Sequence, residues 1–135
     1  MSNTNGHLLK VNDLKTYFPI KKGLFQRTIG YVKAVDGISF AIESGKTLGL
    51  VGESGCGKTT VARSIIRLIP ATGGQVLFNG VDILKADRQQ LQQIYTDISL
   101  IFQDPYSSLN PRMTVANIVG ETLKIHKGLA GGELV

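Results

Sequence analysis

The sequence predicts an α/β chain, with a partly parallel sheet, flanking helices and an antiparallel β region at its N-terminal side. Three observations point there. The runs 47–51 and 98–102 are short and apolar, the pattern of strands buried on both faces of a parallel sheet. Residues 59–68 place Val61, Ile65 and Leu68 at helical spacing, and Ala62, Ile66 and Ile69 widen that stripe. Residues 8–18 and 31–42 read as two extended segments joined through a loop, an antiparallel edge region.

Taken in order, the first strand over 8–18 is expected to end at Pro19, and the Lys-rich, Gly-containing 21–30 reads as a loop. The second segment, 31–42, carries Asp36-Gly37, a turn signal. After the apolar run 47–51 comes a glycine cluster, then the helix, stopped by Pro70. Thr72-Gly73-Gly74 turns the chain into a strand over 75–78, and Asn79-Gly80 predicts a hairpin to Val81, Asp82 and Ile83. Residues 86–95 read as a helix with Leu91 and Ile94 on one side. After 98–102 a Pro-marked loop runs to Pro111, and Thr114 is the expected N-cap of a helix carrying Val115, Ile118 and Val119, with Thr122 or Leu123. The segments group as 1–46 (antiparallel β region with an insertion at 19–31), 47–69, 70–102 and 103–135.

Composition bounds the function. A chain of 135 residues holds one ordinary domain, and 42% apolar with 19% charged residues suits a globular protein. No apolar run approaches the roughly 18 residues of a membrane-spanning helix. The polar start lacks the basic-then-apolar order of a secretory signal, so a cytosolic location is expected. A single cysteine, Cys56, excludes an internal disulfide, and no Cys/His cluster has zinc spacing. The net charge of +5 is concentrated around Lys21, Lys22, Arg27 and Lys33. It is compatible with nucleic acid, an anionic membrane surface or a phosphorylated ligand, and equally with a solvated loop. Aromatics are not regularly interleaved with these charges, so a nucleic-acid groove is not expected.

The glycine cluster is the informative part. Gly52-Glu53-Ser54-Gly55-Cys56-Gly57-Lys58-Thr59 fits G-x-x-x-x-G-K-[ST] between an expected strand and an expected helix. Gly52, Gly55 and Gly57 allow backbone conformations closed to other residues, so the amides of the loop, Ser54 and Cys56 included, can turn toward one anion. The helix N-terminus favours the same anion. Lys58 supplies a full charge for the β/γ-phosphates, and the Thr59 hydroxyl suits Mg²⁺, which prefers oxygen ligands. Thr60 is a candidate for the α-phosphate. Cys56 lies beside Lys58 and a helix N-terminus, a setting that favours thiol reactivity. Phosphate binding uses the backbone there, so no catalytic cysteine is expected.

These motifs, with Val35-Asp36-Gly37-Ile38-Ser39-Phe40 before them and Phe78-Asn79-Gly80 after, resemble the nucleotide-binding subunit of ATP-binding cassette transporters. The run Ile101-Phe102-Gln103-Asp104-Pro105-Tyr106-Ser107-Ser108-Leu109-Asn110-Pro111-Arg112-Met113-Thr114 is similar to the Q-loop of the branch that energises oligopeptide, dipeptide and nickel importers. The 19–31 insertion also looks like that branch. The resemblance implies a P-loop NTPase core, ATP and Mg²⁺ as ligands, and Gln103 reaching both the metal and the attacking water. A neutral amide can orient both without adding charge, though Gln103 could also simply open a loop. In the family an aromatic near the end of the first strand stacks on adenine. Phe18 falls there with Tyr17 beside it, and either ring could equally be strand core.

The implied partners are the transmembrane permease subunits and a second ATP-binding subunit, in a homo- or heterodimer on the inner face of the cell membrane. The family's signature sequence, Walker B strand, D-loop and switch histidine all fall later than these residues, so the chain is incomplete relative to the family. Leu129-Ala130-Gly131-Gly132-Glu133 imitates the signature only superficially, and His7 and His126 lack the context of the switch histidine. Little or no turnover is therefore expected of this chain alone. The alternatives are a catalytically inactive module that binds nucleotide or the membrane subunits, and a small P-loop kinase using Asp104. An unpaired sheet edge with exposed apolar surface is expected as well.

Overall fold

The computed structural model describes residues 6–104, 110–118 and 120. The chain divides into two units, Met1–Ile94 and Tyr95–Val135. The first unit is built on a four-stranded antiparallel sheet in the order β2-β1-β3-β4. Its strands are β1 (His7–Lys22), β2 (Arg27–Glu43), β3 (Gly73–Phe78) and β4 (Val81–Asp82), and between β2 and β3 lies helix α1 (Lys58–Ile65). A second helix, α2 (Arg88–Asp97), follows β4.

β1 organises this unit because it is paired on both sides, with β2 along its length and with β3 from Leu9↔Phe78 to Lys15↔Gly73. Val11, Leu14 and Thr16 of β1 are buried together with Val35 of β2, Val76 and Phe78 of β3, and Val61 and Ser64 of α1. The alternation of Val76 and Phe78 with half-exposed neighbours is the period-two pattern of a sheet with one covered face. Thr16 and Ser64 join their hydroxyls at 2.8 Å and fasten α1 to β1.

Several expected boundaries move. β1 does not end at Pro19 but continues to Lys22, and the expected loop 21–30 is instead the end of a long β1–β2 hairpin. Beyond Lys15 β1 is paired only with β2, so Pro19 sits where one side of the strand is open and its missing N–H costs no ladder bond there. Asp36-Gly37 is not a turn either. β2 runs through it, and Gly37 (φ 80°) is bulged opposite the Leu14–Lys15 step. Asn79-Gly80 forms the expected two-residue turn, with φ of 49° and 83° and Phe78 paired to Val81.

The helix expected over 59–68 spans Lys58–Ile65. It stops early because Arg67 adopts a left-handed conformation, φ 58°, and the chain closes on the last turn. Leu68 N–H donates to the Arg63 carbonyl at 2.9 Å and Arg67 N–H to Ser64 at 3.1 Å, a Schellman closure. Leu68 is left exposed as a result. At α2, Asp87 and Gln90 cap each other reciprocally: Gln90 N–H donates to Asp87 Oδ1 at 2.9 Å and Asp87 N–H to Gln90 Oε1 at 3.0 Å.

The apolar runs 47–51 and 98–102 are not paired in a ladder among the described residues. Val51 is 91% and Ile101 87% exposed, against the expectation of burial on both faces. A parallel strand is buried only when neighbours pair with it and helices cover it, and neither run has a strand partner here. The exposed apolar surface expected of an unpaired edge is present at Leu48, Leu50 and Val51.

In the second unit, Asn110 organises a turn, accepting from Arg112 N–H at its side chain (3.0 Å) and from Met113 N–H at its carbonyl (3.0 Å). Thr114 caps the helical residues 115–118, its hydroxyl accepting from Asn117 N–H at 3.3 Å. The expected helical positions Val119, Thr122 and Leu123, the loop 105–109, His126 and the stretch 129–133 lie outside the described residues.

Candidate functional site

Residues Gly52 to Thr60 form one continuous loop and helix start in the first unit. Gly57 is the N-cap of α1, with φ 98°. A side chain there would be excluded twice, by the positive φ and because a Cβ would lie 2.3 Å from the Ala34 carbonyl oxygen of β2. Gly57 thus lets the loop rest directly on the strand. At the other end, a Cβ on Gly52 would meet Cys56 Sγ at 2.6 Å, so the two ends of the loop approach each other closely. Cys56 N–H donates to the Glu53 carbonyl at 3.3 Å and closes the turn between them.

α1 begins with no side-chain cap and no acidic residue in its first turn. The N–H groups at the start of a helix have no intrahelical acceptor, and with neither cap nor carboxylate they favour an external anion. Lys58 folds back over the loop. Its Nζ donates to the carbonyls of Gly52 (2.8 Å) and Glu53 (2.6 Å) and lies 3.5 Å from Cys56 Sγ. The ammonium, the uncapped helix start and the loop backbone therefore occupy one place. Cys56 is exposed there.

Thr59 is exposed at the second position of α1 and Thr60 is half-buried at the third. Among the described residues no group of three or more His, Cys, Asp or Glu could hold a metal ion. Thr59 Oγ1 is an exposed hydroxyl oxygen at the start of α1, the kind of ligand that suits Mg²⁺.

Phe18 stands on β1, 40% exposed as a residue and paired across the hairpin with Val32. Tyr17, beside it, is already engaged: its hydroxyl donates to Asp36, and Lys33 Nζ lies 5.3 Å from its ring centre. Asp36 also accepts from Lys33 at 3.2 Å. Hydrogen bonds from Tyr17 and then Lys33 hold the Asp36 carboxyl below the ordinary carboxylate range, while Asp36 raises both Tyr17 and Lys33. Among the described residues no cation lies over the Phe18 ring, whereas Tyr17 carries both a cation and an acceptor. Gln103 lies in an exposed bend of the second unit, followed by exposed Asp104.

Sequence reasoning missed Ala34, whose carbonyl forms the seat of the loop. No residue type signals it, because the contact is made by backbone. It also missed the reach of Arg67, whose Nη1 donates to the carbonyls of Ile83 (3.1 Å) and Ala86 (2.8 Å) and anchors the far end of α1.

The phosphate-loop geometry has a counterpart in a known family. The family model described as ABC transporter matches residues 35–130, most of the chain. The chain belongs to the ABC transporter family. Among curated relatives of this ABC chain, the oligopeptide transport ATP-binding protein AppF of Bacillus subtilis is 51% identical over 120 residues, covering 88% of this chain and 36% of the relative. The oligopeptide transport ATP-binding protein OppF of the same organism is 54% identical, with 89% and 37% covered. The glutathione import ATP-binding protein GsiA of Escherichia coli O157:H7 is 44% identical, with 95% and 20% covered. The chain thus spans about a third or less of the length of these relatives.

Among solved structures, the ATP-binding cassette MJ0796 bound to ADP and Pi superposes with a TM-score of 0.72 at 25% identity, covering 93% of this chain and 51% of that one. A second dimeric structure of MJ0796 gives 0.73 at 24% identity, with the same coverage. The likeness shows the P-loop NTPase fold of an ABC cassette.

Proposed function

We propose that this chain supplies the phosphate-binding part of the ATP-binding subunit of an ABC importer, which binds Mg·ATP to drive uptake of peptides or related small solutes. The observation that carries this is the convergence of the Lys58 ammonium, the uncapped start of α1 and the loop backbone from Gly52 to Gly57. Likeness to ATP-binding proteins for oligopeptide and glutathione import supports the solute class.

In this reading the amides around Ser54, Gly55, Cys56 and Gly57 and the first turn of α1 donate to phosphate oxygens. Lys58 leaves the carbonyls of Gly52 and Glu53 to pair with the β/γ-phosphates. Thr59 offers its hydroxyl to Mg²⁺, which when bound neutralises phosphate charge and helps orient the leaving group. Thr60 reaches the α-phosphate, and Phe18 stacks on the adenine. Gln103 orients the attacking water and the metal, while the loop after it touches the permease subunits. A second ATP-binding subunit completes the catalytic unit at the cytoplasmic face of the membrane. For the chain by itself the expectation is nucleotide binding without significant turnover.

The test is equilibrium titration with a fluorescent ATP analogue, with and without Mg²⁺, for the chain and for Lys58→Ala. Saturable binding that is lost in the variant supports the reading, and its absence in both rejects it. Metal-dependent, multiple-turnover hydrolysis that disappears in Lys58→Ala would sink the expectation of weak turnover.

A further inference from the structure

The end of the β1–β2 hairpin is built in a way that the nucleotide site does not explain. Between Asp13 and Asp36 the sequence has no acidic residue and five cations, Lys15, Lys21, Lys22, Arg27 and Lys33, as many as the formal net charge of +5. Two of these are paired at the base of the hairpin, Lys15 with Asp13 at 2.7 Å and Lys33 with Asp36 at 3.2 Å. Lys21, Lys22 and Arg27 have no ion pair among the described residues. Lys22 and Arg27 are moreover direct cross-strand partners, an arrangement in which like charges repel.

The turn between them closes with Gln26 N–H donating to the Gly23 carbonyl at 3.1 Å. Its two corner positions are therefore Leu24 and Phe25, where turns usually carry Pro, Asn, Asp, Ser or Gly. Leu24 is 95% and Phe25 84% exposed. Among the described residues the hairpin has no third strand past Lys15↔Gly73, so there it extends as a two-stranded ribbon, a structure only marginally stable in water.

Apolar corners and an unsupported ribbon are unfavourable in water, and the clustered cations, although well solvated, repel one another. An interface that is apolar below and anionic at its surface accommodates all three. We propose that the hairpin tip docks on an anionic lipid bilayer, with Leu24 and Phe25 at the boundary of headgroups and acyl chains and with Lys21, Lys22 and Arg27 on lipid phosphates. The contact is with lipid itself. It requires neither nucleotide nor a protein partner, and so goes beyond the reading of the phosphate loop.

The experiment is flotation of the whole chain with protein-free phosphatidylcholine vesicles, with and without phosphatidylglycerol. Binding is expected only with phosphatidylglycerol and is expected to weaken with salt. The variant Lys21→Gln/Lys22→Gln/Arg27→Gln should lose roughly fivefold per cation, and Leu24→Ser/Phe25→Ser about tenfold or more. Both variants should keep the circular dichroism spectrum and ATP-analogue binding of the parent, which separates failure here from failure of the nucleotide reading. The sequence has no tryptophan, so Phe25→Trp adds a single reporter. Its emission should shift to the blue on anionic vesicles and be quenched by lipids brominated on the acyl chain. No flotation of a folded chain, equal flotation of parent and variants, or capture only by membranes that contain protein subunits would each overturn the proposal.

Discussion

Thr16 Oγ1 and Ser64 Oγ lie 2.8 Å apart with neither residue accessible to solvent. One hydroxyl comes from the central strand and the other from the helix that starts at the phosphate loop, so this polar contact sets how α1 sits on the sheet. Removing one partner leaves the other buried and unsatisfied, at a cost of about 1–3 kcal/mol. Thr16→Val and Ser64→Ala should each lower the unfolding free energy read from urea denaturation by that order. The double variant should cost clearly less than the sum, and strict additivity would show that the hydroxyls do not interact.

Gly57→Ala should be more damaging than an alanine elsewhere in the loop. The new Cβ meets the Ala34 carbonyl at 2.3 Å and the residue must keep φ near 98°, so the loop has to lift from β2. ATP-analogue affinity is expected to fall by more than about tenfold even though no charge or donor is removed. Unchanged affinity would mean that the loop's seat on β2 does not matter for phosphate binding.

Arg67 holds a conformation that favours glycine, and its side chain compensates through the carbonyls of Ile83 and Ala86. Arg67→Ala loses both hydrogen bonds and keeps the backbone strain, so a loss of about 2–3 kcal/mol is expected in chemical unfolding. Arg67→Gly loses the same bonds but relieves the strain, and should be less destabilised, by about 1 kcal/mol. The reverse order would show that the left-handed backbone at residue 67 holds no strain for glycine to relieve.

The cluster of Tyr17, Lys33 and Asp36 gives a defined acid response. The folded Asp36 carboxyl lies below its ordinary value of 3.8, so its contribution is present above that value and is lost as pH falls through the depressed folded value. Lys33 and Tyr17 are raised, so their contributions are lost at the alkaline end, as pH rises past their ordinary ranges. The thermal midpoint of Asp36→Asn should therefore trail the parent at neutral pH and converge with it in strong acid. A gap that persists in strong acid would point to a cause other than ionic pairing.

The loop and helix start over Gly52 to Thr60 are legible as a shape because the residues are contiguous and each has a local reason. The turn at Asn79-Gly80 and the cap at Thr114 were readable for the same reason, since a two-residue turn or a single hydroxyl cap is decided locally. The reciprocal cap of Asp87 and Gln90 is encoded locally too, as D-x-x-Q before Leu91. The hairpin tip read as a loop because lysines and glycine outweighed the period-two pattern, although the outer end of a two-stranded ribbon tolerates both. The runs 47–51 and 98–102 read as buried because their composition is apolar. Burial is a property of neighbours, which a local pattern cannot provide. Ala34 and Arg67 act through backbone carbonyls, as seat and as anchored partner, and no residue type encodes that.

The two bonds that Lys58 makes to the carbonyls of Gly52 and Glu53 also set a rule of selection. Any incoming group must draw the ammonium away from two neutral amide oxygens, and it does so in proportion to the negative charge it brings. The loop should therefore rank visitors by charge before it senses their shape: triphosphate above diphosphate, diphosphate above monophosphate, and dianionic inorganic phosphate above the monoanion.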